Sequence, residues 1–150
     1  MTFESFKRLS LLLFAMAMFF GASGVARAQK VPNPVLYLLR LETFEQGGKT
    51  FIRYRYDVDN KSAYPAPMFA AAPGLPPCGA NTKASRTWVD IYDQGGKRLN
   101  GFCAFGSPDD LSQIWFALEE GVVPPSYVYI ELTDRQTSVK YKSNLADTVM

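Results

Sequence analysis

Two cysteines and no histidine set the chemistry open to this 150-residue chain. Without an imidazole, Ser-His and Cys-His catalysis lack their usual general base, and the commonest transition-metal ligand is missing. Cys78 and Cys103 stand 25 residues apart. Two thiolates alone do not complete a closed zinc site, and a redox pair of the Cys-x-x-Cys kind is absent. Ser107 in "FGSPD" lacks the second glycine of a nucleophile elbow. "DVDNKS" from Asp57 has Lys61 at its fifth position and lacks the glycine of a calcium loop. The adjacent acids Asp109–Asp110 and Glu119–Glu120 read as solvated loop residues. The glycine pairs belong to turns rather than to a phosphate loop. No catalytic residue, metal or cofactor is expected, and the chain reads as a non-enzyme.

The remaining use for the cysteines is a bridge, and the start of the chain supplies the compartment for one. Lys7 and Arg8 precede the apolar run "LLLFAMAMFF" (11–20), and "ARA" (26–28) places small residues where a signal peptidase cuts. The run is too short to span a bilayer, which takes roughly 20 apolar residues. Residues 1–28 read as a secretory signal peptide, 29–143 as one domain and 144–150 as a C-terminal tail. A periplasmic or secreted location follows, with no membrane span after cleavage. In that setting Cys78 and Cys103 are expected to be oxidised together. The leader carries Lys7, Arg8 and Arg27 against Glu4, so the rest of the chain is neutral. Nothing indicates the dense positive field that nucleic acid requires.

Aromatic side chains carry the candidate binding chemistry. If Val89 and Ile91 face a core, Trp88 and Tyr92 point away; by the same alternation Trp115 opposes Ile114 and Phe116, and Tyr127 and Tyr129 oppose Val128 and Ile130. Trp88, Tyr92, Trp115, Tyr127 and Tyr129 therefore form a candidate surface for a protein or a glycan. The competing reading, which the sequence favours, buries at least one tryptophan under the long loop 63–86. That loop holds five prolines up to Cys78 and is either a lid packed down by Met68, Phe69 and Leu75 or a rigid segment presented to an enzyme cleft.

The elements that position these residues are strands. In "FIRYRYDVDN" (51–60), Ile52, Tyr54, Tyr56 and Val58 alternate with Arg53, Arg55, Asp57 and Asp59. "VLYLLRLETF" (35–44) precedes it across "QGGK", a hairpin turn sequence. "TWVDIYD" (87–93) and "RLNGFCAF" (98–105) flank a second "QGGK", followed by "SQIWFAL" (112–118), "YVYIELT" (127–133) and "SVKYKS" (138–143). The segment 63–71 is a poorer candidate that Pro65 and Pro67 would confine to a sheet edge. Lys140 and Lys142 would protect the edge formed by the last strand.

About seven short strands with regular turns predict an all-β, single antiparallel β-sandwich with one disulfide. "YRYDVDNKSAYP" and "VPPSYVYIELTDRQTSVKYKSN" resemble the second strand and the last two strands of fibronectin type III and related immunoglobulin-like modules. The resemblance implies an immunoglobulin-like sandwich and a binding or spacing role. It implies no site, because the immunoglobulin bridge joins two core strands much farther apart. The sequence reading is thus an exported binding or structural module acting through protein–protein interaction, with a carbohydrate-binding module and a small enzyme inhibitor as alternatives.

Overall fold

The alternation at 51–58 is realised as a strand with one apolar face. A computed structural model describes residues 30–78 and 84–149; the signal-peptide and cleavage readings fall on residues outside these. Strand β2 (Lys49–Val58) buries Tyr54, Tyr56 and Val58 and turns Arg53 and Arg55 the other way. Asp57, expected outside, is buried as well, because Lys61 Nζ holds its two carboxylate oxygens at 2.9 and 2.7 Å and the Val58 amide donates to Oδ1.

Strand β1 (Leu36–Gln46) pairs antiparallel with β2, with Gln46 opposite Lys49. Gly47 and Gly48 between them have φ of 60° and 75°, the left-handed pair that a two-residue hairpin turn demands. The second "QGGK" turns differently. Only Gly96 is left-handed, and Asp93 Oδ1 accepts from the Gly95 and Lys97 amides at 2.8 and 2.9 Å. A register shift between Leu38 and Arg40 marks a bulge in β1, so Arg40 and Glu42 fall on the face away from the core.

Strand β3 (Thr87–Asp93), β4 (Arg98–Ala104), β5 (Ile114–Glu119), β6 (Tyr127–Asp134), β7 (Val139–Lys142) and β8 (Ala146–Asp147) complete the chain. One sheet has the order β1-β2-β5 and the other β4-β3-β6-β7, with β8 also on β6, and every pairing is antiparallel. Tyr54, Tyr56, Ile114 and Phe116 of the first sheet and Val89, Ile91, Val128, Ile130 and Leu132 of the second share one buried cluster. The Tyr54 and Phe116 rings stack in it, 4.7 Å apart at 3°. The result is an all-β, β-sandwich-like fold of two sheets.

Segment 63–71 is not an edge strand. Its prolines accommodate a 3-10 helix over Ala66–Phe69, and Tyr64, Met68 and Phe69 enter the core. Thr87 Oγ1 donates to the Met68 carbonyl at 2.6 Å and Tyr64 OH to that of Pro32 at 2.9 Å. The returning chain is fastened by a bridge between Ala71 and Ser85 and by Ser85 Oγ donating to the Ala104 carbonyl. Cys78 and Cys103 are disulfide-bonded with Cα atoms 6.0 Å apart, and Arg135 donates to Cys78 Sγ and to the Ser85 and Pro76 carbonyls, each at 2.8 Å. The first half of the long loop is thus core, and the described part of the second half is tied down at several points.

Residues set apart as a tail also pack. Ala146 and Thr148 are buried, and Asn144 closes the beginning of β1: the Leu36 amide donates to its Oδ1 at 2.7 Å and its Nδ2 donates to the Leu36 carbonyl at 3.0 Å. Among the described residues no helix is long and apolar enough to cross a membrane.

Candidate functional site: the outer face of the second sheet

Strand alternation and pairing bring four of the five candidate aromatics onto one face. Trp88 and Tyr92 project from β3, Tyr127 and Tyr129 from β6, each flanked by buried Val89, Ile91, Val128 and Ile130. Tyr92 lies directly opposite Tyr129, and their rings stack 5.3 Å apart at 20°. Tyr127 is exposed at the end of β6, where Gln94 of the second glycine turn accepts its amide at 3.2 Å. Trp115 is elsewhere: it stands opposite Arg55 on β5, on the outer face of the first sheet, under the Arg53 guanidinium. Both tryptophans are half-buried rather than buried as the sequence reading favoured, and of the loop's described side chains Tyr64, Met68 and Phe69 enter the core cluster while Leu75 stays partly exposed.

Cations cover the rings. Lys142 Nζ is 4.0 Å from the Tyr129 centroid and Arg98 Cζ is 5.5 Å from that of Trp88. Asp90 and Glu131 oppose each other across β3 and β6, a like-charge pairing that costs stability unless neutralised. Each has its own cation: Arg98 Nε reaches Asp90 Oδ1 at 2.5 Å and Lys140 Nζ reaches Glu131 Oε1 at 2.7 Å. The Glu131 carboxylate raises the Lys140 pKa, and burial followed by the Asp90 charge raises that of Tyr92. Gly101 opposes Asp90 in β4, and a methyl there would collide with Asp90 Oδ1 and the Arg98 guanidinium. The glycine leaves room for that ion pair to lie flat on the sheet.

The outermost charges are therefore positive. Arg98 and Lys140 have half or more of their side chains exposed, against 14% and 19% for Asp90 and Glu131. Both carboxylates are held by these cations. The sequence reading assigned Lys140 and Lys142 only to edge protection and did not single out Arg98. A register shift between Ile91 and Tyr92 sets which β4 residue reaches Trp88, and no local pattern announces it. Among the described residues, no three His, Cys, Asp or Glu side chains gather as a metal site. The cysteines lie beside this face, Cys103 opposite Trp88 in the β3–β4 pairing. No family model, curated protein or solved structure matches the chain.

Proposed function

We propose that this is an exported, non-enzymatic binding module of immunoglobulin-like type whose second-sheet outer face takes a protein partner. The observation that carries the reading is the Tyr92–Tyr129 stack with Trp88 and Arg98 on one side and Lys142 on the other. Tryptophan, tyrosine and arginine dominate the binding energy of protein interfaces, and stacked rings bring large contact area at little entropic cost. Two antiparallel sheets, β1-β2-β5 and β4-β3-β6-β7 with β8 on β6, sharing one core are compatible with the resemblance at the level of a β-sandwich. The disulfide is compatible with an oxidising, extracytoplasmic compartment.

A glycan platform is less well supported. Sugar stacking needs open ring faces, and those of Trp88 and Tyr129 carry cations, while Trp115 is on the other sheet. The test is a photo-crosslinking residue at Tyr127 in the exporting cell, with Thr43 on the first sheet as the control position. A discrete protein adduct at 127 only, lost in Tyr129→Ala, is expected. Adducts that are equal at both positions, or insensitive to Tyr129→Ala, sink the proposal. Saturable binding of a neutral glycan abolished by Trp88→Ala promotes the carbohydrate reading instead.

A further inference from the structure

The outer face of the first sheet holds a separate charge cluster. Pairing of β1 with β2 sets Arg40 opposite Arg55 and Glu42 opposite Arg53. Glu42 Oε1 accepts from Arg40 Nε at 2.8 Å, and Oε2 accepts from Arg55 Nε at 2.6 Å and from Arg53 Nη1 at 3.5 Å. Arg53 is fixed between two rings, its Cζ 4.5 Å from the Phe44 centroid and 4.8 Å from that of Trp115. Its Nε is buried without an acceptor. Arg40 and Arg55 both reach the carboxylate through Nε, and among the described residues no acceptor meets their terminal nitrogens.

We infer that Arg40, Arg53 and Arg55 form an oxyanion-binding site for a phosphate or sulfate group, in which Glu42 is the resident anion that an incoming oxyanion competes with. One carboxylate needs one cation, and three leave two positive charges in surplus. Cations directly opposite each other, as Arg40 and Arg55 are, cost stability unless an anion lies among them. Guanidinium forks match the tetrahedral edge of phosphate or sulfate, and a fork clamped between aromatic rings loses little freedom on binding. The nearby carboxylates do not compete: Asp57 is held by Lys61, Glu119 by Lys49, and Glu45 accepts from Thr50. Glu42 stays ionised at any physiological pH, since hydrogen bonds from Arg55 and Arg40 lower its pKa to about 2.

The two tryptophans make the experiment internally controlled. In the oxidised full domain, inorganic phosphate and sulfate are titrated at constant ionic strength, with chloride as reference, while both indole N–H resonances are followed. The Trp115 signal is expected to move saturably with phosphate or sulfate and that of Trp88 to stay. Vesicles with and without phosphatidylglycerol form a second arm; binding to anionic vesicles alone assigns the phosphate to a lipid headgroup. Arg40→Gln with Arg55→Gln should weaken binding at least about tenfold, and Glu42→Gln, which removes the resident anion, should tighten it by about the same factor. No saturable response in either arm, equal movement of both indoles, or unchanged or weaker binding in the folded Glu42→Gln protein would overturn the assignment.

Discussion

Trp88 faces Cys103 directly across the β3–β4 pairing, so the aromatic face and the bridge that ties down the long loop share one cross-strand pair. The fastening of the loop and the shape of the proposed binding face are thereby linked through a single edge strand, β4.

Removing the bridge by Cys78→Ser with Cys103→Ser should lower stability by about 3 to 4 kcal/mol on the chain-entropy account of a loop of this length. Urea denaturation of oxidised and serine forms measures it. The Trp88 emission should change along with stability, whereas Trp115, on the other sheet, should report only global unfolding.

Phe69 is fully buried and Leu75 is partly exposed. Phe69→Ala should therefore cost about 3 to 5 kcal/mol, as for other buried aromatics, and Leu75→Ala less than about 1 kcal/mol. Thermal melts of the pair check whether the first half of the loop is part of the core. Equal midpoints would contradict that placement.

Trp88→Ala and Trp115→Ala should each cost about 1 to 2 kcal/mol, because both rings are half-buried and each gives up a guanidinium partner. Their effects on binding should separate: Trp88→Ala weakens binding of the protein partner proposed for the second sheet, and Trp115→Ala does not. Loss of the same partner in both variants would remove the distinction between the faces.

Asp134 is buried and held by Arg86 through two bonds, Nε at 2.8 Å and Nη2 at 2.7 Å, and the Thr137 hydroxyl and Gln136 amide add two more. The Arg86 hydrogen bond, above all, lowers its pKa to about 2. The folded value lies below the unfolded one of about 3.9, so this stabilisation is complete above about pH 5 and is lost as the pH falls through about 4 toward 2. Denaturation midpoints over that range should fall less steeply in Asp134→Asn, which is already destabilised at neutral pH because Arg86 keeps its charge without a partner.

Much of the strand pattern is local and could be read directly: the alternation in β2, the left-handed glycine pair after Gln46, and the inward phases of Val89, Ile91, Val128 and Ile130. What sequence could not supply was set by pairing. Alternation tells whether Trp88 and Trp115 point outward, but not that they belong to different sheets. The β1 bulge reverses the phase between Leu38 and Leu41, which hides the Arg40–Glu42–Arg55 cluster inside a run that reads as merely apolar. Pro65 and Pro67 correctly signalled the absence of an interior strand, yet the chain met that constraint with a 3-10 helix carrying core side chains. The strand at Ala146–Asp147 has only two residues, too few to show a period.

Asn144 satisfies both backbone groups of Leu36 from 108 positions along the chain. The start of β1 is therefore completed by a side chain from the far end of the described fold, not by its neighbours in sequence. Without that side chain the Leu36 amide and carbonyl would be open on the free side of β1, and unpaired strand edges are a template for pairing with another chain. Asn144 thus works as a latch that joins the two ends of the fold at the first strand.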